Sequence, residues 1–481
     1  PYTTLCRSPG RKSLLISSDV SQAMEWESYP TYTQYDSIMQ SFHLQYPSLC
    51  DIDTIGTSIN GRLILVLKIS DNVSADEDEP GVFYTSSIHG DETAGFILML
   101  RFADYLLKNY NTSSRVRNVV DNLEVWINPL SNPDGTYRNG DEIISPTRFN
   151  ANGYDLNRNF PDPATPGTVK QKETIDMVKF LREKRFVLSA NFHSGVEVVN
   201  FPWDSRWWIH ADGDWFYGIS RKYADTVHLY SPPGYMTFLD NGVTNGYDWY
   251  SINGGRQDFV TWELQGREVT IEQHNEYVTP ANQLNSLWER NYRSLLGYVE
   301  NALYGIYGIV KDSETGNPVA ARVFINGYDK DSSHVYSDTL AGSFIRMLAP
   351  GTYELSFRAK GYADKVIKDV VVEEGMKTNL SVEMIPFVNP VDTADTPGLV
   401  IYPNPSSQSV TLVLPDRQYG RVRVTIYKSS GFKIADFIAE AEEDVPLRID
   451  VSGLEDGVYI LQVRNSSSGM TERIRFVVAG R

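Results

Sequence analysis

Residues 85–95 decide how this chain is interpreted, and they read Thr85-Ser86-Ser87-Ile88-His89-Gly90-Asp91-Glu92-Thr93-Ala94-Gly95. Residues 81–84, which precede this stretch, are β-prone and typical of a buried strand. Residues 96–107, which follow it, are rich in helix formers. The pattern therefore predicts that His89 and Glu92 lie on the turn between a strand and a helix.

A histidine and a glutamate three residues apart in such a turn can converge on one point. Zn2+ takes nitrogen and oxygen ligands at about 2.0–2.2 Å, and a catalytic zinc usually has three protein ligands and an open fourth position. His193 is the best candidate for the third ligand because it follows a strand-like run, and sites form at strand ends in α/β sheets. The alternative is a solvated loop. The remaining candidates lack a comparable strand-end setting or lie in a later domain: His210, His228, His274 and His334.

Composition limits the kind of protein. The 481 residues suggest about three domains at roughly 150 residues each, and no apolar run approaches the ~18 residues that cross a bilayer. A net charge of −17 argues against a nucleic-acid partner, because phosphate binding needs a basic face. Cys6 and Cys50 could form one disulfide in an oxidising compartment or remain separate thiols. The start at Pro1 without a leader favours a processed secreted protein over a trimmed N-terminus.

Hydrophobic patterning divides the chain into five segments. Residues 1–24 form an extended lead-in, and residues 25–304 alternate β-prone runs with helical patterns, which predicts an α/β domain. Residues 305–387 read as short strands joined by turns and predict a small β-sandwich. Residues 388–398 lack periodicity and predict a linker, and residues 399–481 predict a second all-β unit.

Two further runs in the α/β region carry side chains suited to substrate binding. One contains Arg148, Asn157 and Arg158, which could clamp an anion because Arg binds carboxylates bidentately. The other follows Tyr250 with a Gly-Gly pair, which predicts a mobile loop that could bring the phenol onto a substrate. A polar turn loop and a surface aromatic are the alternatives.

Together these motifs resemble the zinc carboxypeptidase family, and above all its regulatory branch, which includes carboxypeptidases D, E and N. The resemblance covers about residues 50–386. It implies a mixed-sheet α/β domain and an enzyme that uses one catalytic zinc ion to release C-terminal residues from peptides. The zinc ligands that it implies are His89, Glu92 and His193.

The resemblance also implies roles for substrate-binding residues. In the family an Asn-Arg pair holds the terminal carboxylate of the substrate, and this pair matches Asn157 and Arg158. An arginine that polarises the scissile carbonyl matches Arg148, and a capping tyrosine matches Tyr250.

The pocket for the last side chain of the substrate is implied by two spacings. In the regulatory branch an Asp lies eleven residues after the third ligand and a Gln lies shortly after the Gly-Gly pair, and here these are Asp204 and Gln257. A carboxylate and an amide on a pocket floor favour a terminal Lys or Arg. The alternative is that Asp204 is only a turn residue.

The general base is a choice between two glutamates on strand-like runs, Glu263 in residues 261–264 and Glu272 in residues 268–273. The interval that the family keeps after its Gly-Gly pair reaches Glu272. The run that follows, with a final helix over about residues 280–303, is also in register. We choose Glu272 and keep Glu263 as the alternative.

Three positions depart from the regulatory branch. Asp91 stands where the branch usually has Asn, Ser194 where it has Gly, and Gln273 where it has an apolar residue. The change at Asp91 bears on the subsites upstream of the cleaved bond. None of the three removes a ligand or a clamp residue.

The two C-terminal segments resemble known accessory domains. Residues 305–387 resemble the transthyretin-like sandwich of the regulatory branch, which implies that they brace the catalytic domain. Residues 399–481 resemble the C-terminal sorting domain of Bacteroidetes type IX secretion, through the motifs at 402–405 and 457–459. This implies type IX export and a place on the outer-membrane surface or outside the cell. A generic adhesion sandwich is the alternative.

We therefore expect a secreted, monomeric zinc carboxypeptidase that acts on peptide or protein C-termini, without a nucleic-acid partner or a transmembrane segment. Two other functions stay open. An amidohydrolase on N-acyl amino acids would share the metal triad, and a catalytically silent member of the family would bind peptides without cleaving them.

Overall fold

The computed structural model describes residues 14–75, 77–162, 170–386, 399–414, 420–428, 431–442, 445–466 and 468–479. The predicted linker at 388–398 lies outside these ranges. Cys50 is buried, and its pairing with Cys6 also lies outside the described residues.

An eight-stranded mixed sheet forms the centre of the α/β region, and its spatial order is β1-β2-β4-β3-β5-β8-β6-β7. The strands β4, β3, β5 and β8 are neighbours and run parallel. Antiparallel pairs flank them on both sides. The strands are β1 (Cys50–Thr57), β2 (Leu63–Ile69), β3 (Gly81–Ser86), β4 (Glu124–Asn128), β5 (Leu188–His193), β6 (Glu197–Phe201), β7 (Val243–Asn245) and β8 (Arg267–Gln273).

Helices cover both faces of this sheet. They are α1 (Val20–Ala23), α2 (Tyr32–Gln45), α3 (Ala94–Asn109), α4 (Ser114–Val120), α5 (Pro133–Thr136), α6 (Lys172–Lys184), α7 (Gly213–Leu229), α8 (Phe238–Gly242), α9 (Gly246–Trp249), α10 (Arg256–Glu263) and α11 (Leu284–Val299). Short 3-10 turns lie at Leu156–Arg158, Ala281–Gln283 and Glu300–Leu303.

Alternate residues of β3 serve two hydrophobic cores, because successive side chains of a strand point to opposite faces. Phe83 stacks on Phe186, in the core that also holds residues of α6 and α10. Tyr84 faces the other core, where it contacts Phe102 of α3 and donates a hydrogen bond of 2.7 Å to the carbonyl oxygen of Leu295. Every residue of β4, β5 and β8 is buried, as expected for parallel strands that are covered on both faces.

The structure confirms several predicted elements and corrects others. β3 and α3 flank the turn that carries His89, as predicted. Residues 261–263 are not a strand but the end of α10, and Leu264 is the C-cap of that helix. Four alternating residues are too few to separate a strand from one helical turn. The final helix is shorter than predicted, because 3-10 turns replace both of its ends. The predicted lead-in contains one helical turn, α1, within its described part.

The second region forms two packed sheets, with strand orders β11-β10-β13-β14 and β12-β9-β15. One hydrophobic core fills the space between them, with Phe344 and Phe357 in edge contact at its centre. The strands are β9 (Gly305–Asp312), β10 (Arg322–Ile325), β11 (Val335–Tyr336), β12 (Ser343–Arg346), β13 (Gly351–Arg358), β14 (Lys365–Val372) and β15 (Lys377–Met384).

The third region is also a pair of sheets, with strand orders β16-β17-β20 and β19-β18-β21-β22 and a separate hydrophobic core. The predicted fold class, a mixed-sheet α/β domain followed by two all-β units, is therefore confirmed. Across the described part of the chain, every helix is too short or too polar to cross a bilayer. The strands are β16 (Val400–Tyr402), β17 (Ser409–Val413), β18 (Gly420–Lys428), β19 (Lys433–Ala441), β20 (Leu447–Asp450), β21 (Gly457–Asn465) and β22 (Thr471–Val478).

Candidate active site

Three predicted metal ligands lie together at the carboxyl ends of β3 and β5. Glu92 occupies the centre, with Oε1 2.8 Å from Nδ1 of His89 and Oε2 2.7 Å from Nδ1 of His193. The three groups are buried, and one ligand atom from each lies within 4.8 Å of the others. Adjacent parallel strands end at one edge of the sheet, so the topology brings residues about a hundred positions apart to one point.

Each histidine is oriented through the ring nitrogen that faces away from Glu92. Nε2 of His89 lies 3.0 Å from Oδ1 of Asp155, and Nε2 of His193 lies 2.9 Å from the side-chain amide of Asn191. Such outer partners fix the ring and its tautomer in metal sites. The sequence analysis missed both partners. Asp155 lies two residues before Asn157 in the motif already noted, and Asn191 precedes His193 by two residues on the same strand face.

The electrostatics of the group favour a charged carboxylate between the two imidazoles. Burial would raise the pKa of Glu92, but His89 and His193 outweigh it and hold this pKa below its usual value. For His193, burial dominates and lowers the pKa. For His89, burial is outweighed by Glu92 and Asp155, which raise the pKa.

These residues fit a catalytic zinc ion. Two imidazole nitrogens and one carboxylate are a donor set that catalytic zinc uses, and both Nδ1 atoms are directed at Glu92 while both Nε2 atoms have outer partners. The Oδ1 atom of Asn191 is buried and has no hydrogen-bond partner among the described residues. A turned amide would therefore accept the Nε2 proton that His193 must carry when Nδ1 binds a metal.

Of the two candidate bases, Glu272 lies at this site and Glu263 does not. Glu272 is buried on β8 and pairs in register with His193 of β5. Its Oε2 atom lacks a hydrogen-bond partner among the described residues. Burial, together with the negative charge of Glu92, raises its pKa well above the usual value. Glu263 instead forms an ion pair of 2.7 Å with Arg182 at the end of α10.

One histidine was placed wrongly by the sequence analysis. His274 directly follows β8 and so does have a strand-end setting. Its ring is occupied elsewhere, because Nε2 lies 2.7 Å from the Gln283 side chain and Nδ1 accepts a hydrogen bond from the Glu276 backbone.

The predicted clamp residues lie near the group of His89, Glu92 and His193. The Arg148 guanidinium lies 3.3 Å from Oε1 of Glu92 and 2.9 Å from Asp155. Arg158 is near enough that its charge lowers the pKa of Asp155 and opposes the rise in the pKa of Tyr250. Tyr250 is half-exposed, and burial of its phenol together with Glu272 raises its pKa to about 12.

Asn157 connects the clamp loop to the Gly-Gly turn. Its Oδ1 atom accepts a hydrogen bond of 2.9 Å from the Arg256 backbone. Gly254 has a φ of 71°, and a side chain there would collide with the carbonyl oxygen of Arg158. Both glycines of the turn are buried. They allow the backbone to pack closely here, whereas the sequence analysis had explained them by a mobile loop.

The predicted pocket residues also meet. Asp204 is buried, and its Oδ1 atom accepts hydrogen bonds of 3.0 Å from the Gln257 and Asn200 side-chain amides. Asp258 holds the backbone of this segment, because its carboxylate accepts hydrogen bonds of 2.9 Å from the Asp204 and Ser205 amides. Burial and the charge of Asp258 raise the pKa of Asp204 well above its usual value. The sequence analysis missed Asp258, although it directly follows Gln257.

Two of the three departures from the regulatory branch, Asp91 and Ser194, lie beside the group of His89, Glu92 and His193, whereas Gln273 contacts the Tyr223 hydroxyl of α7. Asp91 is partly buried, and burial together with Glu92 raises its pKa to about 6. Ser194 donates its backbone N–H to Oε2 of Glu92 at 3.2 Å and its hydroxyl to the Tyr277 backbone. Gln273 is buried.

Comparisons with protein families match three parts of the chain. Residues 35–294 match the zinc carboxypeptidase family, residues 305–385 match a carboxypeptidase regulatory-like domain, and residues 400–477 match a secretion system C-terminal sorting domain. The predicted resemblance is therefore confirmed for all three regions.

Similar proteins support this assignment. Carboxypeptidase D from Anas platyrhynchos is 33% identical over 76% of this chain, and this chain spans only 28% of that protein. Carboxypeptidase SOL1 from Arabidopsis thaliana is 32% identical over 70% of this chain and 68% of its own length. The crystal structure of a carboxypeptidase A from Helicoverpa armigera matches with a TM-score of 0.52 and 19% identity, covering 60% of this chain and 76% of that one. This chain belongs to the zinc carboxypeptidase family.

Proposed function

We propose that this chain is an exported zinc carboxypeptidase that releases a C-terminal Lys or Arg from peptides and proteins. The observation that carries the proposal is the buried group of His89, Glu92 and His193 with Glu272 beside it at the same edge of the sheet. Two imidazoles, one carboxylate ligand and a second carboxylate, whose Oε2 atom has no hydrogen-bond partner within the described part of the chain, are the parts that metal-assisted hydrolysis of an amide needs.

One zinc ion held by His89, Glu92 and His193 would act as a Lewis acid on the scissile carbonyl and lower the pKa of water. Glu272 takes the proton of the attacking water as general base and returns it to the leaving amine. Burial raises its pKa, which makes this carboxylate a stronger base than an exposed glutamate. Arg148 faces the developing negative charge on the carbonyl oxygen and stabilises it.

Asn157, Arg158 and Tyr250 make the enzyme an exopeptidase. They bind the free terminal carboxylate, with Arg158 supplying the charge and Tyr250 closing the site from the solvent side. Holding the carboxylate on one side of the scissile bond places the carbonyl beside Glu272 and Arg148.

The Lys or Arg preference rests on Asp204. Burial and the charge of Asp258 raise the pKa of this carboxylate, and the charge of Arg158 offsets the rise only in part. A substrate ammonium or guanidinium group would restore a charge pair there, and the Gln257 Oε1 atom has no hydrogen-bond partner among the described residues and would accept a second bond. A terminal Phe would leave these polar groups buried and unsatisfied, which costs free energy.

Export and location follow from the third region. Its match to a secretion system sorting domain supports delivery through the type IX machinery to the outer-membrane surface or the medium. Deleting residues 399–481 should leave the chain inside the cell in a type IX-competent host, and a truncated chain that still reached the surface would contradict this part of the proposal.

The function is tested with two peptides that differ only in a last residue of Arg or Phe. The purified chain, with zinc added, should release Arg at least tenfold faster in kcat/KM, and a chelator should abolish release until zinc is restored. Faster Phe release would keep the peptidase and reject the pocket. No release of either residue by the zinc-loaded chain would reject the peptidase, and cleavage of N-acyl amino acids would then favour an amidohydrolase.

A further inference from the structure

A short loop of the second region, residues 328–334, reaches the α/β domain; we call it the docking loop. Asp331 in this loop accepts a hydrogen bond of 2.7 Å from Nε1 of Trp208 and lies 3.1 Å from the Arg206 guanidinium. The backbone carbonyl of Ser333 accepts a hydrogen bond of 2.8 Å from Arg267, the first residue of β8. Asp331 and the residue after it have positive φ angles of 48° and 63°. The loop therefore holds an uncommon backbone conformation at its point of contact.

A buried ion-pair network around Arg346 also holds the docking loop. Arg346 of β12 binds the Asp212 carboxylate through two hydrogen bonds of 2.8 Å and also binds Asp329 of the loop at 2.7 Å. Asp212 also pairs with Arg267 at 2.6 Å. Because Asp212 immediately precedes α7, the segment 202–212 is held at its far end by the second region.

The near end of that segment carries the pocket. Arg206 lies over the buried ring of Trp203, with its guanidinium carbon 4.8 Å from the ring centroid. Trp203 directly precedes Asp204, and its carbonyl oxygen accepts a hydrogen bond of 2.8 Å from the Tyr247 backbone. The contacts therefore run from Asp331 through Arg206 and Trp203 to the pocket carboxylate.

We propose that the docking loop sets the position of Asp204, so that Asp331 and Arg206 are positioning residues for the side-chain pocket. The second region then contributes to substrate selection without touching the substrate. The kinetic test of this inference rests on the proposed function, because the state of the pocket is measured by which terminal residue the enzyme releases.

Asp331 is the position to change. Its side chain is 27% exposed, so its removal does not leave a fully buried charge in the loop without a partner. Removing Arg346 would instead take away the two hydrogen bonds that this buried guanidinium donates to Asp212, and loss of a buried ion pair strongly destabilises a fold. A matched control is Asp364→Ala, which breaks an exposed ion pair between Asp364 and Arg358 in the same region.

The kinetic test compares the full-length zinc-loaded chain with its Asp331→Ala, Asp331→Asn and Asp364→Ala variants on the Arg and Phe peptides. Asp331→Ala should raise KM for the Arg peptide about tenfold with kcat within about twofold, because a displaced Asp204 loses most of one charge-assisted hydrogen bond to the substrate. Release from the Phe peptide should not change. Asp331→Asn keeps an acceptor for Trp208 and should fall between, and Asp364→Ala should match the wild type.

Two kinetic results would overturn the proposal. One is an unchanged Arg-to-Phe ratio in Asp331→Ala, and the other is an equal fall in kcat on both peptides, which would indicate a general structural role.

A second measurement does not depend on activity. The amides of Asp204 and Ser205 bind Asp258, and the amides of Tyr247 and Ile252 bind the carbonyl oxygens of residues 203 and 204. Hydrogen exchange at these four amides should be several-fold faster in Asp331→Ala and unchanged in Asp364→Ala. Unchanged exchange in Asp331→Ala overturns the proposal. If the wild type released neither residue, the proposed function would fail, and exchange alone would decide this inference.

Discussion

At the scale of single residues, Glu272 and Glu263 differ in burial and in partners, and this difference predicts the effect of removing each carboxylate. Glu272→Gln keeps the shape of the side chain but cannot accept a proton. We expect kcat to fall at least about a hundredfold, the usual size of a general-base contribution. Zinc content, measured by metal analysis after dialysis, should not change.

The matched control is Glu263→Gln, which removes only an exposed ion pair with Arg182. Such a pair contributes about 0–1 kcal/mol, so activity and stability should stay close to the wild type. Near-normal turnover in Glu272→Gln together with loss in Glu263→Gln would move the catalytic role to Glu263.

Asp204 predicts a change of preference rather than a loss of catalysis. Asp204→Ala removes the pocket charge, so kcat/KM for the Arg peptide should fall about tenfold to a hundredfold, the range for a hydrogen bond to a charged group. Release of Phe should stay the same or rise. Asp225→Ala, which removes an exposed carboxylate on α7, is the control. An Arg preference that survives Asp204→Ala would reject the pocket.

The residues that meet at the site were predictable where a spacing in the sequence indicated them. His89 and Glu92 lie on one turn, and the interval after the Gly-Gly pair separated Glu272 from Glu263. The partners Asp155 and Asn191 were missed because an orienting contact leaves no spacing of its own. Such a partner can be identified only when the three-dimensional position of the histidine ring nitrogen is known.

At the scale of elements, the 3-10 turn Leu156–Arg158 carries two of the predicted clamp residues, and its N-cap, Asp155, contacts His89. Asp155 accepts the Asn157 backbone N–H at 2.9 Å while the same oxygen contacts His89. Asp155→Asn keeps an acceptor for the turn but loses the charge that orients the imidazole. We expect zinc affinity to fall about tenfold to a hundredfold, measured by competition with a chelator.

Asp450 offers a control of the same geometry. It accepts the Ser452 backbone N–H at 2.8 Å in a turn of the third region, and no histidine is involved. Asp450→Asn should leave zinc affinity unchanged. Equal affinity in Asp155→Asn and the wild type would mean that the orientation of His89 does not depend on this carboxylate.

Elements with long patterns were predicted well, and short ones were not. The strand before His89 and the helix after it have enough residues to show their period. Residues 261–264 were predicted as a strand from an alternation that is too short to distinguish a strand from a helix. In the structure, Phe259 and Val260 of the same segment pack into a hydrophobic core as part of α10. His274 directly follows the strand-like run 268–273, so its strand-end setting was visible in the sequence. What the sequence could not show is that its ring contacts Gln283 and Glu276.

At the scale of the whole molecule, the contact between the first two regions could not be predicted, because its members are far apart in sequence. Arg346 and Asp212 are separated by 134 residues, and neither stands in a motif. A buried arginine is a signal only when its burial is known. The three-region organisation itself was visible, since a change from helical to short alternating patterns marks the start of the second region.

This contact also contains a titratable group that predicts how stability depends on pH. His210 is buried beside Trp203 and Phe216, and its Nδ1 atom accepts the Asp212 backbone N–H at 2.9 Å. Burial lowers its pKa to about 3, with Arg267, Arg346 and Lys330 acting in the same direction and Asp212 opposing them. The folded chain therefore keeps His210 neutral where the unfolded chain, with a pKa near 6.5, takes up a proton.

Stability from this group is complete above about pH 6.5 and is lost as the pH falls from there toward 3, because the unfolded state binds one more proton. The loss approaches about 1.4 kcal/mol per pH unit below pH 6.5 and amounts to about 3 kcal/mol between pH 7.5 and 4.5. His210→Asn keeps an acceptor for Asp212 but cannot titrate. Its free energy of unfolding should lie below that of the wild type at pH 7.5, since volume is lost, and the gap should narrow by about 3 kcal/mol by pH 4.5. Urea unfolding followed by tryptophan fluorescence, with a chelator present, measures both curves, and other carboxylates cancel in their difference. Parallel curves would show that His210 takes up its proton over the same pH range in the folded and the unfolded chain, and would contradict a lowered pKa.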